Sequence, residues 1–417
     1  MITKRLLLLL SIVSPTFMVS CGNHGAGDPS TIPFVRDILS DTTSTVYEKI
    51  RKSCIDGRDG SIAIVGPSEQ TLFLADNFIT CDNFDNVNGK SVPDGLPDFA
   101  GETFDLICDS ANAPYEGYLE QGNDTFLKEL TVKNFLSSID TLFHASQFDK
   151  NTTERKTASK IVILSSSYLS AFGYDDIMSI VNAARPDIAV ISPVHSMFRY
   201  AIKHHPEANG SFAVWTDEQT LGSGVYATAW SEIVKEYKTL KYEAYCPQHG
   251  KSLRDRIISF FRMYKAIGNT HKIGAVLVDD MPLKADVLNA ELARMRESND
   301  DSLTFYSGLL TDRFEFIDPA TAIASECISF MRKENCFTHR VAYPSTRIYC
   351  TVPVTGMAAQ DYSPQGGFTN DFKYNRADCS DFETFMLVDK PTRFLDENLK
   401  QFLRKNAQNI YDEYVSD

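Results

Sequence analysis

Short β-branched runs alternate with helical stretches of ten or more residues along most of the chain, and this alternation restricts the fold more than any other feature. Runs at 61–65 (SIAIV), 104–108 (FDLIC), 161–164 (IVIL), 188–191, 211–215, 242–245, 273–278 and 314–317 read as strands. Helical segments are expected at 69–77, 123–143, from 174, from 195, and at 220–238, 253–267, 283–296, 319–332 and 391–411. In 123–143, Phe126, Leu130, Val132, Phe135, Leu136 and Ile139 recur at roughly helical spacing. Strands separated by such helices predict an α/β fold with mostly parallel sheets covered on both faces. The expected architecture is two three-layer α/β domains with a ligand crevice between them. The first is discontinuous, 32–186 plus 316–417, and 187–315 forms the second. Residues 335–382 break the rhythm. They are rich in aromatics, threonine and glycine, and read as an inserted hairpin subdomain.

The centre of this pattern is 160–170, KIVILSSSYLS, a buried strand running into Ser165, Ser166 and Ser167. In an open α/β sheet, ligands bind beyond the carboxyl ends of the strands. This turn offers three hydroxyls there, with no thiol, imidazole or carboxylate. The other strand-end loops are 66–70, 109–117 and 279–282. A further segment, 220–226 (TLGSGVY), opens a helix with hydroxyls and glycines, and Thr220 reads as its N-cap. Asp279 and Asp280 are the strong titratable pair at the presumed crevice. Paired acids can split their pKa values so that one serves as a base. Asp280 has two further readings, as a cap for the following helix and as a partner for a ligand amine.

Charge excludes some partners. The chain carries 41 basic and 55 acidic residues, a formal charge of −14. That balance argues against nucleic acid and against electrostatic adhesion to anionic lipid. It leaves room for a small carboxylate or amino-acid-like ligand in a locally polar pocket. No spacing of cysteine or histidine suggests a metal, and no cofactor is expected. The adjacent His204 and His205 read as a surface pair with diverging rings.

The N-terminus reads as a targeting signal over 1–20. Lys4 and Arg5 precede an apolar stretch, 6–13 (LLLLLSIV), too short to span a bilayer. Residues 17–21, FMVSC, end in a small residue before cysteine, which looks like a bacterial lipoprotein signal with Cys21 as the lipidated residue. An ordinary secretory signal is the alternative. Residues 21–31 are a Gly-rich tether. The expected location is the bacterial cell envelope, with the body facing the periplasm and the outer membrane favoured as the anchor. In an exported chain the remaining cysteines suggest disulfides, with Cys54/Cys81, Cys327/Cys336 and Cys350/Cys379 as pairs.

Taken in order, the loops resemble the glutamate racemase family of the aspartate/glutamate racemase superfamily, from about residue 61 to 411. The matching segments are 62–72 (IAIVGPSEQTL), 108–117 (CDSANAPYEG, with Glu116 as an extra residue), Ser192-Pro193-Val194, TLGSGVY, Cys246-Pro247, 316–319 (FIDP) and the closing 385–403. The resemblance implies a racemase-like two-domain fold and a two-base mechanism, in which two cysteines work on opposite faces of the substrate Cα. Here the first cysteine's position is Ser165 and the second is Val278, and the acidic residue of the first turn falls at Gly66. A serine hydroxyl needs an adjacent base to react, and valine has no proton to give. The expectation is therefore a racemase-like exported lipoprotein without racemase activity. Asp109, Ser110, Pro114, Tyr115, Ser165, Ser166, Ser167, Thr220 and Asp280 are its expected ligand-binding residues. One-base isomerase or lyase chemistry through Asp279, Asp280 or Ser165, and a non-catalytic partner-binding scaffold, are the alternatives.

Overall fold

A computed structural model describes residues 32–416, apart from 53–58, 87, 89, 91, 185–187, 210, 235–240, 247–251, 365, 377–382 and 388–393. The expected signal, Cys21, the tether, Cys54 and Cys379 lie outside the described residues.

The strands are β1 (Ser61–Gly66), β2 (Thr103–Cys108), β3 (Leu142–Ser146), β4 (Asp149–Arg155), β5 (Ser159–Leu164), β6 (Ala189–Ile191), β7 (Phe212–Thr216), β8 (Tyr242–Tyr245), β9 (Ile273–Asp279), β10 (Leu310–Ile317), β11 (Ser345–Pro353) and β12 (Glu383–Leu387). They form two sheets, ordered β4-β3-β12-β11-β2-β1-β5-β6 and β10-β9-β7-β8. The second sheet is parallel throughout. The first is parallel except where β11 meets β12 and β3 meets β4. The α/β class and the mostly parallel sheets expected from the alternation are present.

Side chains on a strand alternate between faces, and both faces of each sheet are apolar. In the first sheet Ile62, Ile64, Leu106, Ile161 and Ile163 share a core with Leu72 and Phe78 of the helix Ser68–Ile79 and with Ile323 and Met331 of Pro319–Lys333. Their neighbours Ala63, Val65, Ile107, Val162 and Leu164 face Leu130 and Phe135 of Asp124–Ile139 and Ile177 of Tyr174–Ala184. Each fully buried Ile, Leu or Val contributes about 1.5–3 kcal/mol of transfer free energy, so this doubled core dominates the stability. The second sheet repeats the plan. Ala213, Trp215, Val276 and Val278 face Leu253–Ala266 and Ala285–Glu297, whereas Val214, Ala275 and Leu277 face Pro193–His204 and Val225–Val234.

The structure departs from the sequence expectations in several places. β6 pairs with β5, so the chain leaves the first sheet after Ile191, and β10 stays in the second sheet up to Ile317. The expected helix over 123–143 ends at Ile139, and the chain then forms the hairpin of β3 and β4 at the edge of the first sheet. The β4 sequence DKNTTER is polar, so its strand character comes from backbone pairing rather than from apolar alternation. The expected helix over 220–238 is broken: Glu218–Gly222 is followed by Val225–Val234, with Gly224 at φ +74° between them. Residues 335–382 are not an appended subdomain, because β11 lies in the interior of the first sheet, between β12 and β2.

The cysteine pairings also differ. Cys81, Cys327, Cys336 and Cys350 are free thiols, so none of the three expected disulfides is present. Cys350 instead sits opposite Cys108 on neighbouring parallel strands, and the two sulfurs interact as thiols. His205 is no surface residue: it is buried between Glu207 and Glu315, while His204 stacks on Tyr200.

Candidate functional site

The site expected at the crevice lies where the short helix after β5 meets the carboxyl ends of β7 and β9. On the first-sheet side, Ser165 follows β5. Its hydroxyl is buried without a hydrogen-bond partner. Gly66 ends β1 beside it at φ +147°, and a Cβ there would come within 2.1 Å of the Ser165 Oγ. The position that carries an acid in the resembled family therefore has no room for any side chain while Ser165 sits as it does. Ser166 caps the helix Ser167–Ala171, accepting the Leu169 amide at 3.5 Å. Ser167 is buried beside Asp279 and Tyr226, with no hydrogen bond of normal geometry to its hydroxyl.

On the second-sheet side, β9 ends at Asp279, in register with Thr216 at the end of β7. The carboxylate of Asp279 accepts the phenol of Tyr226, whose ring is buried. Burial, first, pushes the Asp279 carboxyl above its ordinary range, and the bond from Tyr226 opposes that shift. Burial and the neighbouring Asp279 push the Tyr226 phenol well up. The Thr216 hydroxyl is buried and lacks a normal hydrogen bond. Thr220, expected as an N-cap, is instead the residue that is capped. Asp217 is the cap, accepting the Thr220 amide at 2.7 Å and the Thr220 hydroxyl at 2.6 Å. Tyr168 meets Thr220 at the mouth, near Asp217, Glu116 and Asp279, and burial raises its phenol.

Asp279 and Asp280 do not act as a pair. Successive residues at a strand end point to opposite faces. Asp280 turns to the other side of the second sheet, where it accepts the indole N–H of Trp215 at 3.0 Å and binds Arg256. It does not cap the helix Ala285–Glu297 either. Asp318 does so, accepting the Ala285 amide at 2.9 Å. Val278, the family's second proton-carrier position, has no exposed surface and packs into the apolar core of the second sheet.

Of the residues expected to bind ligand in the loop after β2, two point inward. Asp109 is fully buried and accepts from Asn112 at 2.7 Å, Tyr115 at 2.6 Å, Asn134 at 3.0 Å and Thr351 at 2.5 Å. Its lone pairs are satisfied within the protein, and Tyr115 is held by the same bond. Ser110 and Pro114 do reach open space. They line a cavity of about 670 Å³ over the carboxyl ends of β1, β2 and β11. Ser110 pairs there with Ser68 at 3.0 Å.

Sequence reasoning missed this cavity's distinctive residue. Lys373 lines it and is only 4% exposed. Its ammonium donates to the Ala113 carbonyl at 2.7 Å and lies 4.9 Å from the centre of the Tyr374 ring. Burial lowers its pKa to about 8. The signal was unreadable in the sequence because Lys373 lies in the irregular 335–382 stretch, far along the chain from the β2 loop it covers. The two cysteines beside these strand ends, Cys108 and Cys246, are both disfavoured as thiolates. Cys108 is enclosed, its thiol pushed up by contact with Cys350 and by burial. Cys246 is raised by burial and by Asp217 and Glu218. Among the described residues, no group of three or more His, Cys, Asp or Glu is arranged to hold a metal ion. Among them also, no helix is long and apolar enough to cross a membrane.

Two mostly parallel sheets, each covered by helices, with a polar cluster where their strand ends meet, define a two-sheet α/β protein. No protein-family model matches the chain, and no curated protein matches it. Among solved structures it is similar to glutamate racemase isoform RacE1 from Bacillus anthracis, at 15% identity and a TM-score of 0.42, covering 72% of this chain and 90% of that one. It is also similar to glutamate racemase from Campylobacter jejuni subsp. jejuni (14% identity, TM-score 0.38, 69% and 92% covered). A third similar structure is glutamate racemase from Aquifex pyrophilus (13%, TM-score 0.36, 76% and 94%).

Proposed function

We propose that the protein is a glutamate-racemase-like lipoprotein of the bacterial envelope, anchored through Cys21, that binds a small carboxylate or amino-acid-like ligand in the crevice and does not racemise it. One observation carries the binding reading. The hydroxyls of Ser167 and Thr216 gather on the buried Asp279–Tyr226 pair where the helix after β5 meets the carboxyl ends of β7 and β9. Such a cluster offers both donors and an acceptor to a ligand's amine or carboxylate. The loss of racemase chemistry rests on Ser165 and Val278. A thermal-shift screen of D- and L-amino acids and dicarboxylates tests the reading. Stabilisation that disappears in Ser167→Ala supports it, and no response to any compound sends the reading to a scaffold role. Labelling with a radioactive fatty acid, lost in Cys21→Ser, tests the anchor.

A second reading is favoured by the raised carboxyl of Asp279. A carboxyl held above its usual range is better placed to exchange a proton near neutral pH. One-base chemistry at this residue would appear as solvent deuterium entering Cα of a bound compound without inversion.

A further inference from the structure

We infer that the cavity over β1, β2 and β11 is a binding site for a free short peptide, with the peptide's carboxylate on Lys373 and its amino terminus at an acidic rim. The site is separate from the crevice, and the inference does not depend on the crevice reading.

Three observations support it. The first is the buried cation. Lys373 is 96% buried, it lines the cavity, and the bond to Ala113 uses one of its three N–H groups. Asp109, the carboxylate whose charge acts on it, already accepts four bonds from other residues. Among the described residues no carboxylate forms an ion pair with Lys373. Asp109 supports the ammonium electrostatically without a direct ion pair, so an incoming carboxylate would add a partner for its remaining N–H groups.

The second is the opposite charge at the rim. Glu69, Glu116 and Asp396 also line the cavity. Burial first, then Glu116 and Asp396, push the Glu69 carboxyl up, so the three acids sense one another as like charges. A cationic group among them would relieve that repulsion. A molecule that carries both a carboxylate and an ammonium could pair with Lys373 and with these acids.

The third is size and lining. About 670 Å³ lies within the usual range of roughly 300–1,000 Å³ for pockets that enclose drug-sized ligands, well above the need of a single amino acid. Phe394 and Phe402 add apolar wall, and the Ser68–Ser110 hydroxyl pair lines the same space. Charges of both signs, apolar wall and hydrogen-bonding hydroxyls together suit a peptide of a few residues with both termini free.

The test is calorimetric titration of the purified full-length protein with trialanine, N-acetyl-trialanine, trialanine amide and free alanine. The expected result is binding of trialanine, at least tenfold weaker binding of both capped forms, and weaker binding of alanine. Lys373→Met should weaken trialanine at least tenfold. The rim variant Glu69→Gln/Asp396→Asn, on partly exposed side chains, should weaken it at least threefold and serves if Lys373→Met does not fold. No heat with trialanine overturns the proposal, as does equal binding of the capped and free peptides. Binding that survives Lys373→Met and the rim variant but is lost in Asp279→Asn also overturns it, by sending the ligand to the crevice.

Discussion

The carboxylate of Asp280 accepts the indole N–H of Trp215 at 3.0 Å, on the side of the second sheet away from the crevice. Arg256 completes the arrangement, binding the same carboxylate and stacking 5.3 Å over the Trp215 ring. The two acids that stand side by side in the sequence therefore have different roles. Asp280 ties the helix Leu253–Ala266 to the sheet, and Asp279 faces the crevice.

Arg256→Ala should destabilise the protein by about 1–3 kcal/mol, because it leaves a mostly buried carboxylate with only the indole donor. Urea unfolding followed by tryptophan fluorescence measures this directly. An unchanged midpoint would mean that the Asp280 pair contributes nothing.

Tyr226→Phe removes the bond that holds down the raised carboxyl of Asp279. A carboxyl whose folded pKa lies above its unfolded value of about 3.9 takes up protons on folding, so stability falls as pH rises through that window. The Phe variant should lose about 1 kcal/mol at neutral pH and show a steeper fall above roughly pH 4. Asp279→Asn should flatten the same limb. Melting temperatures across pH 4 to 8, compared among the three proteins, decide the point.

Purified protein should give no glutamate racemisation above background by chiral chromatography, and Ser165→Cys should not create it. A single thiol provides one face of a two-face reaction. The opposite position, Val278, is enclosed in the core. Inversion by either protein would show that proton transfer runs through other residues.

Asp109→Ala should be among the most damaging single changes, costing about 3 kcal/mol or more. It strands donors on the buried residues Asn112, Tyr115, Asn134 and Thr351. Soluble yield and denaturant midpoint report it. A mild effect would mean that the network re-forms around the gap.

Of the described thiols, Cys246 should react first with a thiol reagent in the native state. Cys108, Cys327, Cys336 and Cys350 are buried, and Cys81 donates to Asp98 at 3.0 Å. Because burial and two nearby carboxylates raise the Cys246 thiol, its reaction should be slow at pH 7 and accelerate through the alkaline range. Mass spectrometry after timed labelling identifies the modified residue.

Much of the framework was legible in the sequence because it depends on local chemistry. The runs SIAIV, FDLIC and IVIL could not be exposed, and they became β1, β2 and β5. The helix carrying Leu399, Phe402 and Leu403 was readable from one apolar face. The polar strand DKNTTER was not readable, because its place at a sheet edge is set by backbone pairing with β3. β11 was hidden for a related reason: its neighbours β2 and β12 are distant or irregular in sequence, so nothing local marked it as an interior strand.

The sequence by itself determined the α/β layering and the absence of a thiol at residues 165 and 278, since both follow from residue types at given positions. Only the tertiary structure decided which polar groups are available. The alternation of side chains at the end of β9 separated Asp279 from Asp280. Four donors from distant segments closed around Asp109. Lys373 reached the β2 loop across more than two hundred residues of chain. Direction and hydrogen-bond saturation depend on partners brought in from elsewhere, and no stretch of sequence contains its own partners.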